Sequence, residues 1–122
     1  MKISYGITVH NEADELNKLL EILIHKTDVE DEIVICVDGN NKKVQEVITS
    51  WVQQYASDDV DKMKDIIVYN RKLNGNFAEH KNSVIEKSTG DYIFHIDADE
   101  YPNETLLEQL KQIIEMNDGV DL

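Results

Sequence analysis

Asp97-Ala98-Asp99-Glu100 places three carboxylates within four residues, and one residue separates Asp97 from Asp99. Carboxylate oxygens are the ligands Mg²⁺ and Mn²⁺ prefer, so such a D-x-D pair can share one hard cation. What precedes the pair decides whether it is placed to do so. Gly90 to Pro102, GDYIFHIDADEYP, contains a short run from Tyr92 to Ile96, rich in β-branched and aromatic residues and bounded by Gly90-Asp91 and Pro102. The pattern predicts a buried central strand with the carboxylates at its C-terminal end. In open α/β sheets ligands bind in the crevice beyond those ends.

Other chemistries share the pattern. A solvated acidic turn before a helix, with Asn103 as N-cap and Glu104 in the first turn, uses the same residues without a ligand. An EF-hand loop starting at Asp97 fails, because Pro102 falls where the sharp turn needs glycine. An aspartyl-nucleophile phosphotransferase, D-x-D-x-T after a strand, is nearer in geometry, but Tyr101 stands in place of the threonine. His95 shares a strand face with Asp97 by period-two alternation. That spacing suits a His/Asp metal site, though a packed strand residue is the simpler expectation.

Composition narrows the classes. The 122 residues carry 12 Lys plus Arg against 25 Asp plus Glu, a net charge of −13, with 41% apolar residues. That length fits one domain able to bury a core. The acidic balance argues against nonspecific binding to nucleic acid or to an anionic membrane, which needs a basic patch. An acidic protein that handles a phosphorylated ligand needs a cation as bridge. The single cysteine, Cys36, excludes an internal disulfide, fits a reducing compartment and lies in an apolar run, so a buried structural thiol is expected. The N-terminal apolar stretch is too short and too soon acidic for a signal peptide, and no run approaches a membrane span. A soluble, cytoplasmic chain is the expectation.

Four βα units must position these residues. Strands are predicted at Ile3 to Val9, Glu32 to Val37, Ile66 to Asn70 and Tyr92 to Ile96. Asn11 is the expected cap of the first helix, whose stripe is Leu16, Leu19, Leu20 and Leu23. The second helix carries Val44, Val47, Ile48, Trp51, Val52 and Tyr55. Ser57 to Asp65 is a polar loop. The third helix, Phe77 to Lys87, turns Phe77, Ala78, Val84 and Ile85 inward, and the fourth, Glu104 to Met116, presents Leu106, Leu107, Leu110, Ile113 and Ile114. Asn117-Asp118-Gly119 stops that helix, and Gly119 to Leu122 looks like the opening of another strand. Alternation at this spacing implies a parallel sheet with helices on both faces. Sequence period leaves the strand order open; a reversal between the first and fourth strands would make the tips at Val9-His10 and Asp97 neighbours.

Unusual polar residues recur at the strand exits: Thr8, His10, Asn11 and Glu12, then Asp38, then Arg71 and Lys72, then Asp97 and Asp99. With ITVHNEADELNKLL, IVICVDGNN and NGNFAEHKNSVIEKSTGDYIFHIDADE, the chain resembles the nucleotide-sugar-binding half of the inverting glycosyltransferase family two, with its GT-A fold. The third segment is the most specific. A Gly-containing loop, an Ala and Asn in the next helix, Gly-Asp-Tyr-Ile and D-x-D follow in order. The resemblance implies a Rossmann-like parallel sheet and a UDP-sugar donor. It implies that Thr8 and Glu12 line the uridine pocket, with His10 also nucleotide-binding, and that Asp38 accepts a hydrogen bond from the base. Asp97 would contact the ribose or the metal, and Asp99 would ligate a Mn²⁺ or Mg²⁺ that bridges the diphosphate. Asn76, Lys81 and Asn82 would face the donor. Lys81 stands where the family often has Arg, which makes it a candidate phosphate contact.

Family members continue into an acceptor-binding half that supplies the general base. Residues 1–122 therefore read as a single nucleotide-sugar-binding domain with that half missing or truncated. Glu100 is the remaining candidate base, close to the metal site. The acceptor is unknown. Two other classes stay open: a noncatalytic nucleotide-binding or assembly module, homo-oligomeric through an open sheet edge, and a metal-dependent nucleotidyl or phosphoryl transferase.

Overall fold

The computed structural model describes residues 2–28, 30–56, 65–72 and 77–116. The elements run β1 (Ile3–Val9), α1 (Ala13–Lys26), β2 (Glu32–Val37), α2 (Lys42–Ala56), β3 (Asp65–Asn70), α3 (Phe77–Lys87), β4 (Tyr92–Asp97) and α4 (Glu104–Met116). All four strands are parallel, in the order β3-β2-β1-β4. The chain builds outward from β1 through β2 to β3 and then crosses to the other side of β1. The reversal left open by periodicity is therefore present, and the crevice lies between β1 and β4. Register pairs Thr8 with Asp97 and Thr8 with Cys36.

The strands' alternation divides the core between two faces. Ile3, Tyr5, Ile7 and Val9 of β1 join Ile33, Ile35 and Val37 of β2 in one cluster with α1, α2 and α4. Leu16, Leu19 and Leu23 are fully buried there, at the 3.6-residue period their sequence announced. Among the described residues, the opposite face is covered by α3, through Val84 against Val34 and Cys36. Cys36 is buried and free of disulfide, as its apolar setting required. Helix α3 lies close to β1 because Gly6 has no side chain: a Cβ there would stand 2.5 Å from Val84 Cγ1.

Five details depart from the sequence expectations. The strand Tyr92–Asp97, expected to be central and buried, lies at the edge of the sheet; among the described residues it pairs with β1 alone, and only Ile96 of its residues is buried. Helix α1 is capped at Glu12, not Asn11. The Glu12 side chain makes no cap bond; its carboxylate instead accepts the main-chain N–H groups of His10 and Asn11. On α3 the sheet-facing residues are His80, Ser83 and Val84, whereas Ala78 is exposed and Ile85 is 47% exposed. Polar partners explain this: His80 Nε2 donates to the Arg71 carbonyl at 2.9 Å, and Ser83 Oγ meets Tyr69 Oη at 2.8 Å. Leu106 and Val52, expected inside, lie at the margins of α4 and α2 and are exposed. His95 is exposed rather than packed, because α3 covers β2 and β1 and leaves the β4 side of that face open. Asn103 does cap α4, its Oδ1 accepting from the N–H groups of Thr105 and Leu106. The expectations for residues 57–64, for the side chains of Tyr55 and Phe77, and for Asn117 onward lie outside the described residues.

The N-terminal end of the sheet carries its own carboxylates. Asp31 is 2% and Glu32 1% exposed. Glu32 accepts the Ser4 hydroxyl at 2.7 Å and the main-chain N–H and hydroxyl of Thr89, with Lys2 Nζ at 3.5 Å. Asp31 accepts from the N–H groups of Ile3 and Asp28, and Lys111 Nζ stands 3.0 Å away. Burial alone would raise the pKa of Glu32, yet these bonds hold it below the ordinary carboxylate value. Burial likewise works against the Lys111 ammonium, but bonds to Asp28, Glu30 and Asp31 outweigh it and raise its pKa.

Candidate functional site

At the C-terminal end of the sheet, main-chain bonds stitch each strand exit to its neighbour. Asp38 N donates to Val9 O at 2.8 Å, Arg71 N to Val37 O at 2.9 Å and Ala98 N to Thr8 O at 3.1 Å. The exits thus keep the sheet's register one residue past the strands. Between them opens a cleft of about 330 Å³ lined by Thr8, Val9, His10 and Glu12 from β1 and its turn, Asp38 from β2, His80 and Lys81 from α3, and Asp97, Ala98 and Asp99 from β4.

The lining residues are tied to one another across the strands. Thr8 Oγ1 donates to Asp97 Oδ1 at 2.8 Å, spanning β1 and β4. His10 spans β1 and β2. Its Nδ1 lies 2.8 Å from the Asp38 carbonyl oxygen, which can only accept, so Nδ1 carries the proton. The same nitrogen is 3.4 Å from Asp38 Oδ2. Gly39 follows with φ +89°, a left-handed turn that favours glycine. Glu100 folds back on the β4 turn, Oε1 accepting from Asp97 N at 3.1 Å.

Seven of the ten residues given a role from the sequence are therefore gathered in the cleft: Thr8, His10, Glu12, Asp38, Lys81, Asp97 and Asp99. Glu100 is beside it without lining it, and Asn76 lies outside the described residues. Asn82, Arg71 and Lys72 are exposed and outside the lining. His95 sits below Asp97 on the same strand face. Its partial burial and then the Lys81 ammonium push its pKa down, with Asp97 opposing. His80 was missed as a lining residue. Its position four residues before Val84 would have placed it on the sheet-facing side of α3.

Four carboxylates, Glu12, Asp38, Asp97 and Asp99, face the cleft with one lysine, Lys81. Among the described residues, no group of three or more His, Cys, Asp or Glu is gathered as a metal cluster. Asp97 and Asp99 fit a different kind of site. Mg²⁺ at nucleotides ordinarily takes one or two carboxylates and completes its shell with phosphate oxygens and water. The Thr8 bond uses one of about four lone-pair positions on Asp97.

Residues 4–121 match the family model described as glycosyl transferase family 2. The chain belongs to that family. It is 32% identical over 104 residues to a poly(ribitol-phosphate) beta-glucosyltransferase of Bacillus spizizenii, covering 83% of this chain and 15% of that protein. An uncharacterised glycosyltransferase of Nostoc sp. is 29% identical over 120 residues, 98% of this chain and 35% of the other. Among solved structures, S. aureus TarS 1-349 in complex with UDP matches with a TM-score of 0.76 at 20% identity, over 95% of this chain and 32% of that one. TarS 1-349 in complex with UDP-GlcNAc matches with a TM-score of 0.71 at 22% identity. These structures share the GT-A, Rossmann-like fold of four βα units seen here. This family 2 chain spans roughly a third or less of the length of each of these relatives. No helix among its described residues is long and apolar enough to cross a membrane.

Proposed function

We propose that this chain is the donor-binding portion of a glycosyltransferase, holding a UDP-sugar and a divalent cation at the tips of β1, β2 and β4. The observation that carries this reading is the Thr8–Asp97 bond across the switch point. It ties the first βα turn to the D-x-D strand exit, and the His10–Asp38 contact adds the β2 exit to the same cleft. The TarS complexes with UDP and UDP-GlcNAc support the choice of nucleotide.

In this reading Thr8, His10 and Glu12 form the wall of the uridine pocket, and Asp38 accepts a hydrogen bond from the base. Asp97 and Asp99 hold Mn²⁺ or Mg²⁺, and Lys81 meets a phosphate. When bound, the cation is a Lewis acid that stabilises the charge growing on the departing nucleotide diphosphate. Transfer inverts the anomeric carbon and needs a base for the acceptor hydroxyl. That role is assigned to no residue here; Glu100, whose Oε1 accepts the Asp97 N–H, stands beside the cleft. A free buried Cys36 suits the cytoplasm, where a UDP-sugar would be met. The acceptor, and any homo-oligomer through the β3 or β4 edge, remain further steps of the same proposal.

Thermal unfolding of the chain with UDP, GDP or AMP, each with and without Mn²⁺, tests the reading. A ligand at about a hundred times its dissociation constant adds roughly 2.7 kcal/mol. Stabilisation by UDP only with Mn²⁺, lost in Asp99→Asn, is the expected result. Equal response to all three nucleotides would remove the uridine assignment. No response to any would favour a noncatalytic module, and release of pyrophosphate or inorganic phosphate from a donor, rather than UDP, would move the chain to the phosphoryl-transfer class.

A further inference from the structure

His10 touches the site in a way that the donor-binding reading does not by itself explain. One ring nitrogen, Nδ1, reaches two atoms of the same residue: the Asp38 carbonyl oxygen at 2.8 Å and Asp38 Oδ2 at 3.4 Å. The ring lies against the Gly39 turn, Nδ1 and Cε1 each 3.8 Å from where a Cβ would stand. Asp38 is also fixed through its N–H to Val9 O. Main chain and side chain together thus lock the β2 exit to the β1 exit. The imidazole is 63% exposed while the Asp38 side chain is 22% exposed, so the clamp is on the solvent side and the clamped group is inside.

We propose that His10 is the positioning residue for Asp38, holding its carboxylate where the nucleotide base meets it. The inference rests on the donor-site reading above. Nδ1 carries the proton because its nearer partner is a carbonyl oxygen, so the clamp is one N–H directed at the Asp38 carbonyl with the Asp38 carboxylate beside it. Glu12, Asp97, Asp99, His80 and Lys81 line the same cleft.

The test is the affinity of the 122-residue chain for UDP-glucose with Mg²⁺, by calorimetry. His10→Ala removes the N–H that holds Asp38 and is expected to bind about tenfold more weakly, the equivalent of one hydrogen bond. His10→Asn keeps an amide donor for the Asp38 carbonyl and is expected to recover most of that loss. Wild-type affinity in His10→Ala would overturn the role of His10 and leave the donor site standing. Equal weakening in His10→Asn and His10→Ala would do the same, by tying the loss to the ring and not to the N–H. Absence of UDP-glucose binding by the unsubstituted chain would overturn both readings.

Discussion

The two ends of one sheet both gather carboxylates, and they do opposite things with them. At the N-terminal end Asp31 and Glu32 are buried and saturated: main-chain N–H groups, hydroxyls and two lysines meet them from β1, from the turn before β4 and from α4. At the C-terminal end Asp97, Asp99 and Glu100 are exposed, and the bonds described for them come from one hydroxyl and one neighbouring N–H. A buried carboxylate survives only when its lone pairs are filled, so the first group is architecture. An exposed cluster keeps capacity for a cation and a phosphate. The difference teaches that acidity by itself says nothing about a site; the degree to which each carboxylate is already answered does.

The sharpest way to break this comparison is Glu32→Ala. It leaves the Ser4 hydroxyl and the Thr89 N–H without their partner in a dry place and should destabilise the fold by about 3 kcal/mol in urea titration. A loss no greater than that of a tip variant would erase the distinction. Lys111→Met comes next, at about 2 kcal/mol, because its ammonium is partly solvated and Asp31 keeps the Ile3 and Asp28 N–H bonds. The pH dependence of stability gives a smaller effect of fixed sign. The folded-state pKa of Glu32 is lowered, so its contribution is complete above the ordinary carboxylate value of about 4.3 and is lost as pH falls through the depressed one. Glu32→Gln should flatten that acid limb in urea titrations at successive pH values. The smallest effect belongs to the tips: Thr8→Val should cost about 0.5–1 kcal/mol of stability, measured the same way without ligand, while weakening nucleotide binding.

Much of this arrangement was legible in the sequence, for identifiable reasons. Strands covered on both faces read as apolar runs, and each ends in residues that cannot continue a strand. The four βα units and the strand-exit residues therefore stood out. Asn103 was readable as a cap because its spacing to Thr105 and Leu106 is local. What stayed hidden was long-range. The order β3-β2-β1-β4 depends on which edges meet, which periodicity does not encode. The buried faces of Glu32, His80 and Ser83 escaped a reading based on apolar spacing, since each is admitted to the interior by a polar partner outside its own element: Thr89, Arg71 and Tyr69. Asn11 lost the cap to Glu12 because the Glu12 side chain turned to the two N–H groups before it.

The Thr8–Asp97 bond also sets an order of events in folding. It joins residues 89 apart, whereas the Ser4–Glu32 bond between β1 and β2 joins residues 28 apart. Closing the longer loop is dearer in chain entropy by about 1 kcal/mol, and long-range parallel pairing is intrinsically slow. During synthesis Thr8, His10, Glu12 and Asp38 all emerge before Asp97 exists. The β1–β2 half of the cleft can form early, and the acidic half arrives only when β4 zips onto β1. Occupancy of the cleft would then be a kinetic report on the docking of that last strand.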